Sequence, residues 1–419
     1  MMDALDRAMF TLAGSRLVRV VAVAAGVAVV LGLGVLGLGH GGSGETNLDT
    51  RYLYLAGKYW LAGTNAYTPA VALPGIDVAR DAMQQYNFAY PPQAAPLCLL
   101  LALGSVGWAF AIMNLLNLGA IAVIAWVGVR TIEDAGSHAS AGAASTGHRW
   151  FVPALIAGNL STAFVVWAGQ TTLLATAGLA AAWYFARRDR PLIAGIALAV
   201  ATFKPPLSLF VVLWFVLTAQ WRVLLVAAAA VLVFSVVPMT IGGPVEVFFD
   251  WLHAVGRYGD HPTNALGTRM LFNLRSLLHA LGIDTPDLFA LGVLVTVALW
   301  KWGRTLVERD VLAFLVGVAL LFGYAHSYDL AALVVLIPAF WLYLRPSAAA
   351  SLAALALLLG ISFPNSLLVR FDNELLLHAR VLLVLGALVW LMALSAADAA
   401  DCREFELEMK GERSDAHYA

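Results

Sequence analysis

The sequence predicts an all-α polytopic integral membrane protein. Three observations carry that expectation: a high apolar content, few charges, and apolar runs of spanning length from end to end. Of 419 residues, 61% are hydrophobic and 12% are charged, and mean hydropathy is +0.81. A soluble domain holds about 45–50% apolar and about 25% charged residues, so too few charges are present to build a soluble surface. The net charge of −1 gives no sign of a nucleic-acid partner. The 13 Trp, 12 Tyr and 20 Phe cluster near the ends of apolar runs, as rings at a membrane interface do. Cys98 lies in an apolar run and Cys402 in the polar tail, so both are expected as free thiols.

The first apolar run, 17–39, is too long for a signal-peptide core and reads as a retained first helix. Clear runs follow at 107–129, 170–186, 223–241, 288–303, 310–325, 329–344, 347–363 and 379–397. Shorter or broken ones lie at 93–104, 151–167, 191–203 and 205–219. Pro92, Pro96, Pro153, Pro205 and Pro206 stand where breaks are expected. At about 20 residues per spanning helix, the chain holds about 11–13 crossings. Lys and Arg mark cytoplasmic turns: Arg16 and Arg19, Arg187 to Arg190, Arg222, Lys301 to Arg309, and Arg345. The larger polar loops, 40–92 and 242–287, then face outward. Residues 1–397 read as one transmembrane domain whose outer loops carry short amphipathic helices. The acidic tail 398–419 reads as a solvated cytoplasmic end. The side faced by the Gly/Ala/Ser/His stretch 131–149 stays open.

Strong polar groups gather at the predicted outer helix ends. Asp49 starts an amphipathic segment, Asn47 to Gly63, where it can serve as a helix cap, as a proton-accepting carboxylate at the membrane surface, or as both. Tyr90-Pro91-Pro92 enters the second apolar run, and Gly169-Gln170 opens another. Lys204, before Pro205-Pro206, lies between two apolar runs, where a cation must face a polar cavity or snorkel to the headgroups. Asn273 and Arg275 lie in the second outer loop, and His326-Ser327-Tyr328-Asp329 forms a turn between apolar helices. No carboxylate falls near the middle of a clear spanning helix. That argues against a proton relay and for a site where a lipid headgroup meets an aqueous acceptor.

The ordered set Asp49, Tyr54, Ala56, Leu61, Gly63 and Tyr67, then Tyr90-Pro91-Pro92, Gly169-Gln170, Lys204-Pro205 and His326-Ser327-Tyr328-Asp329, resembles the polyprenol-phosphate-dependent GT-C glycosyltransferases. More narrowly it is similar to glycosyltransferase family 87, which includes mycobacterial α-mannosyltransferases. The resemblance spans about 49–345. It implies an inverting hexosyltransferase of the plasma membrane with its active site on the extracytoplasmic face. The donor it implies is a polyprenyl-phosphate sugar, mannose first among candidates, and the acceptor an envelope glycolipid or glycan. It implies no metal or other cofactor. On this reading Asp49 is the general base, and Lys204, Arg275 and His326 meet the donor phosphate. Tyr54, Tyr90, Gln170, Asn273 and Asp329 hold sugar or acceptor.

Two rival readings stand beside it. A transporter or flippase of lipid-linked sugar predicts an inverted repeat and charges at mid-depth, and neither is visible. A non-catalytic scaffold needs no gathering of polar groups at one face. The loop 242–287, rich in Gly, Phe, Trp and Tyr, is expected to act as a lid.

Overall fold

The computed structural model describes residues 48–68, 88–138, 148–260, 264–268, 270–303, 306–344, 348–363 and 373–415, with isolated positions between 20 and 32 and at 368 and 371. The predicted first helix, 17–39, falls largely outside these residues, as do 40–47, 69–87 and 139–147. Among the described residues the chain is helical and holds no strand; one isolated antiparallel bridge joins Leu271 and His326.

Helix α1, Leu48–Leu61, carries Asp49 in its first turn. It packs on α2, Ala95–Ala102. Their approach depends on Gly57, where a Cβ would fall 2.0 Å from the carbonyl oxygen of Cys98. Cys98 itself is a buried free thiol. Helix α3, Val106–His138, has 33 residues and holds one of the two stretches, among the described residues, long and apolar enough to cross a membrane alone. Its last turns occupy 131–138, part of the stretch expected as loop.

Helices α4, His148–Ala157, and α5, Leu160–Ala168, together qualify as one span bent by 49°. The break falls at Gly158 and Asn159 rather than at Pro153, which lies inside α4. Asn159 starts the new helix by accepting from the N–H groups of Ser161 and Thr162 (2.9 and 3.4 Å). Next come α6, Thr172–Ala186; α7, Pro191–Ala201; and α8, Pro205–Leu217. A second bent pair, α9, Trp221–Phe234, and α10, Val236–Gly242, turns by 52° at Ser235. Pro238 lacks the N–H that would reach back to Phe234, which explains the bend.

The loop 242–287 contains α11, Glu246–Gly259, and α12, Leu274–Ala280. Then follow α13, Phe289–Trp302; α14, Glu308–Phe322; a 3₁₀ stretch, Ser327–Val335; α15, Leu336–Leu344; and α16, Ala348–Ile361. Nine residues of 3₁₀ helix are unusual, and such runs accompany functional hinges or strain. Last come α17, Glu374–His378, and α18, Arg380–Asp415. Residues 374–400 make the second long apolar stretch. Helix continues beyond Asp398, whose carboxylate pairs with Arg309 at 2.6 Å.

Helix α6 packs against both α3 and α7, and α14 against α8, α13 and α18. The largest core draws on α6, α7, α8, α14 and α18. Helices α6 and α14 have 15 residues each, about 20 Å of rise. The N-terminus of α6 and the C-terminus of α14 meet at the same end, and there the polar residues converge.

Candidate functional site

Asp49 enters through two anchors. The hydroxyl of its neighbour Thr50 donates to the carbonyl of Gly169 (2.9 Å), and the side-chain amide of Gln170 donates to Asp49 Oδ2. Gly169 ends α5 at φ +65°, ψ +37°, a left-handed conformation that favours glycine. That turn reverses the chain and aims Gln170 at Asp49. The carbonyl of Gln170 accepts from Asn117 of α3 (3.2 Å), and its Oε1 accepts from the Tyr90 hydroxyl (3.4 Å). Removal from water pushes the Asp49 carboxyl up to about 6, even though Lys204 pulls it down. A carboxylate at that value can take a proton near neutral pH. Tyr90 is pushed well above the ordinary phenol range by burial, with the Asp49 charge adding to the effect, so it stays protonated.

Lys204 is placed by its own sequence. It is the N-cap of α8, and Pro205 and Pro206 fill the first two helical positions. Those prolines have no N–H, so the helix start offers fewer backbone donors and the ammonium is the principal one. A cation at a helix N-terminus opposes the macrodipole. Asp329 compensates it: Lys204 Nζ pairs with Asp329 Oδ1 and donates to Thr172 Oγ1 (2.8 Å), which itself donates to Asp329 Oδ1 (2.7 Å). Asp329 Oδ2 accepts from the backbone N–H of His326 (2.9 Å). The lysine also lies 4.4 Å from the centroid of the Tyr328 ring.

Aromatic rings form one wall. His326 stacks on Tyr328 (5.0 Å between centroids) and meets Tyr324 edge-on (5.1 Å). The loop helix α11 brings Tyr258, whose hydroxyl lies 3.5 Å from His326 Nε2. Asn264 fixes the tautomer. Its Nδ2 donates to the Tyr258 carbonyl (2.6 Å), which leaves Oδ1 facing His326 Nε2 at 3.2 Å. Nε2 must then carry the proton. Burial lowers His326 to about 4, so the ring is neutral at pH 7 and offers a hydrogen bond rather than a charge. The expectation of His326 as a third cation is corrected accordingly.

The same helix is tied down along its length. Trp251 Nε1 donates to the Ala89 carbonyl (2.9 Å), Asp250 accepts from Asn65 (2.7 Å), and Arg257 donates to the Tyr67 carbonyl (2.9 Å).

The structure thus gathers Asp49, Tyr90, Gln170, Lys204, His326 and Asp329. Asp329, 1% exposed at its side chain, has both oxygens engaged within the protein. It is therefore a partner of Lys204 and not a free sugar ligand. Three expected residues do not join. Tyr54 lies five positions beyond Asp49, about 140° around the helix, and its hydroxyl points to the Gly104 carbonyl (3.5 Å). Asn273 is the N-cap of α12: Oδ1 accepts from Ser276 N (2.8 Å) and Ser276 Oγ (2.9 Å), and Nδ2 donates to the Gly323 carbonyl (3.2 Å). Arg275 donates its Nε to the Thr285 carbonyl (3.0 Å). Thr172 and Asn264 escaped the sequence reading. Thr172 stands directly after the Gln170-Thr171 turn and was readable as part of it; Asn264 carries no comparable signal. No group of three or more His, Cys, Asp and Glu suited to a metal ion occurs among the described residues.

The model of glycosyltransferase family 87 matches residues 88–370, more than half of the chain. The chain belongs to glycosyltransferase family 87. It is therefore a membrane glycosyltransferase, and its all-α polytopic architecture agrees with that membership. The match begins at Phe88, so it contains Tyr90, Gln170, Lys204, His326 and Asp329, while Asp49 precedes it. No curated protein and no solved structure matches the chain.

Proposed function

We propose that this glycosyltransferase moves a hexose, mannose first among candidates, from a polyprenyl-phosphate carrier to an envelope glycolipid or glycan, with inversion, at the extracytoplasmic face of the plasma membrane. The observation that carries the reading is the carboxylate of Asp49, held by Gln170 and Tyr90 in one cluster with a buried lysine at the ends of apolar helices. A base and an anion-binding cation are the two groups this transfer needs.

An acceptor hydroxyl is a poor nucleophile. As its oxygen bonds to the anomeric carbon, Asp49 takes its proton. The bond from that carbon to the phosphate oxygen breaks on the opposite face, and its electron pair leaves with the carrier phosphate. Lys204 stabilises the charge gathering there, while His326, its Nε2–H directed at Asn264, holds through its backbone N–H the Asp329 that partners the lysine. Gln170 and Tyr90 hold Asp49 in register. Tyr258 and Tyr324 offer ring faces to the sugar, while the Tyr328 ring is covered by His326 and Lys204. Asn273, Arg275 and Tyr54 have no part in this scheme.

The test is reconstitution in lipid vesicles with polyprenyl-phosphate mannose, polyprenyl-phosphate glucose or a nucleotide sugar, and a glycolipid acceptor extract. The expected result is transfer from a polyprenyl-linked sugar and none from the nucleotide sugar. Transfer from the nucleotide sugar alone overturns the reading.

A further inference from the structure

We propose that Asp329 is a positioning residue that sets the charge of the phosphate subsite, so that the spent carrier is released. By partly cancelling Lys204 it favours the singly charged phosphodiester of the donor over the more highly charged phosphate monoester left after transfer. The inference rests on the polyprenyl-phosphate reading above.

The arrangement of the pair is the first argument. The Lys204 side chain is 11% exposed and that of Asp329 1%, so the ammonium lies on the accessible side with the carboxylate behind it. An ammonium has three donors. Two are engaged by Asp329 and Thr172, which leaves one for an incoming oxygen. Asp329 is held on both oxygens, by Thr172 from α6 and by the His326 N–H from the turn before the 3₁₀ stretch. It cannot swing away without breaking both anchors, so its negative charge remains when a ligand arrives.

The reaction's own charge balance is the second argument. Breaking the bond between sugar and phosphate converts a diester with one negative charge into a monoester with about −1.5 to −2 at neutral pH. A lone buried lysine binds the more highly charged species more tightly, and the enzyme would then be held by its own product. A fixed carboxylate behind the lysine counters the attraction for each added charge. A unit charge about 4–6 Å away shifts an ionic equilibrium by roughly one to three powers of ten. Asp49, close enough to feel both Lys204 and Asp329, adds repulsion when ionised, but Asp329→Asn leaves that contribution in place.

A structural role for Asp329 is the competing account. It organises the turn at His326 and orients Lys204, and a loss of that order weakens every phosphate ligand alike. The ratio of two ligands therefore separates the accounts. The probes are polyprenyl phosphate and its methyl phosphodiester, neither of which carries a sugar to transfer. Their Kd values are measured at pH 8 on full-length protein in lipid nanodiscs. Wild-type protein is expected to bind the diester at least as tightly as the monoester. Asp329→Asn is expected to move the ratio toward the monoester by about tenfold or more. An unchanged ratio in Asp329→Asn overturns the proposal. So does a wild-type protein that already prefers the monoester tenfold, a result that decides the matter even where the variant does not fold. Wild-type protein that binds neither probe overturns the donor reading itself, and this inference with it.

Discussion

At one end of α6 and α14, Lys204 and Asp329 form a pair whose side chains are 11% and 1% exposed, enclosed by Thr172, Tyr328 and the His326 turn. At the other end stand Arg187, Arg188 and Arg309. Arg188 pairs with Asp134 and covers the Tyr184 ring at 3.5 Å, Arg187 faces Glu308 at 3.6 Å, and Arg309 meets Asp398 at 2.6 Å. Asp134, Tyr184, Arg187, Arg188 and Arg309 help line a cavity of about 390 Å³. Arg187 and Arg188 and their partners are open to solvent, where ion pairs contribute about 0–1 kcal/mol. Burying a pair costs several kcal/mol of hydration for each ion, which the attraction between them only offsets. Stability alone therefore accounts for the exposed end and not for the enclosed one. The enclosed end also uses lysine, a compact charge with rotatable donors, whereas the exposed end uses planar arginines already matched to carboxylates. Asp310 is the exception at the exposed end: it is fully buried, but its Oδ2 accepts from the Tyr343 hydroxyl (2.5 Å).

The contrast breaks most sharply at Asp49. Asp49→Asn keeps shape and removes basicity, so transfer is expected to fall by about a hundred- to ten-thousandfold. The same change has a signed effect on stability. The folded-state value lies above that of an exposed aspartate, so the fold favours the protonated form. The resulting penalty is absent below about pH 4 and grows as pH rises through about 6. Asp49→Asn is thus expected to stabilise the protein at pH 8 by roughly 1–2 kcal/mol and not at pH 4, read from thermal unfolding in detergent. A lower unfolding midpoint for the variant at pH 8 would contradict the stated cause of the shift.

Lys204→Gln leaves Asp329 buried without its cation. A loss of about 3–5 kcal/mol is expected, with most of it recovered in the double variant Lys204→Gln/Asp329→Asn. A double variant as unstable as the single one would show that the pair is not the unit described here. Asn273→Ala removes the cap of α12 and is expected to cost about 1 kcal/mol while transfer remains. A hundredfold loss of transfer would return Asn273 to the site. The smallest effect belongs to the exposed end: Arg188→Gln is expected to change stability by at most about 1 kcal/mol and transfer by less than twofold. A larger loss in either assay erases the distinction between the two ends.

Much of this architecture was legible because bilayers impose length and composition. The runs at 170–186, 191–203, 205–219 and 310–325 return as α6, α7, α8 and α14 with shifts of a few residues. The breaks were less legible. Proline was the visible cue, yet Pro153 is accommodated inside α4 and the turn follows Asn159, whose side chain caps the next helix. In the site, Lys204 and Asp49 stood out because a charge beside apolar sequence demands a partner. Which partner it takes depends on packing between segments far apart in sequence. Asp329 therefore read as a sugar ligand until its contacts with Lys204 and Thr172 were visible. Arg275 and Asn273 suit a site by residue type and loop position, and neither shows in the sequence that Arg275 Nε bonds the Thr285 carbonyl or that Asn273 caps α12 and reaches the Gly323 carbonyl. The loop 242–287 read as a lid from its glycines; its helix α11 is tied to the first loop through Trp251, Asp250 and Arg257.

The pH dependence of kcat/KM tests the central assignment most directly. Wild-type protein in nanodiscs would be assayed between pH 4.5 and 8.5 for transfer from a polyprenyl-phosphate sugar. The Asp49 carboxyl titrates at about 6, and a base must be deprotonated to act. The rate is therefore expected to fall tenfold per pH unit below about 6 and to level off above it. Neutral His326, lowered to about 4, adds no second break in that range. A profile that stays flat down to pH 4.5 would contradict Asp49 as the base.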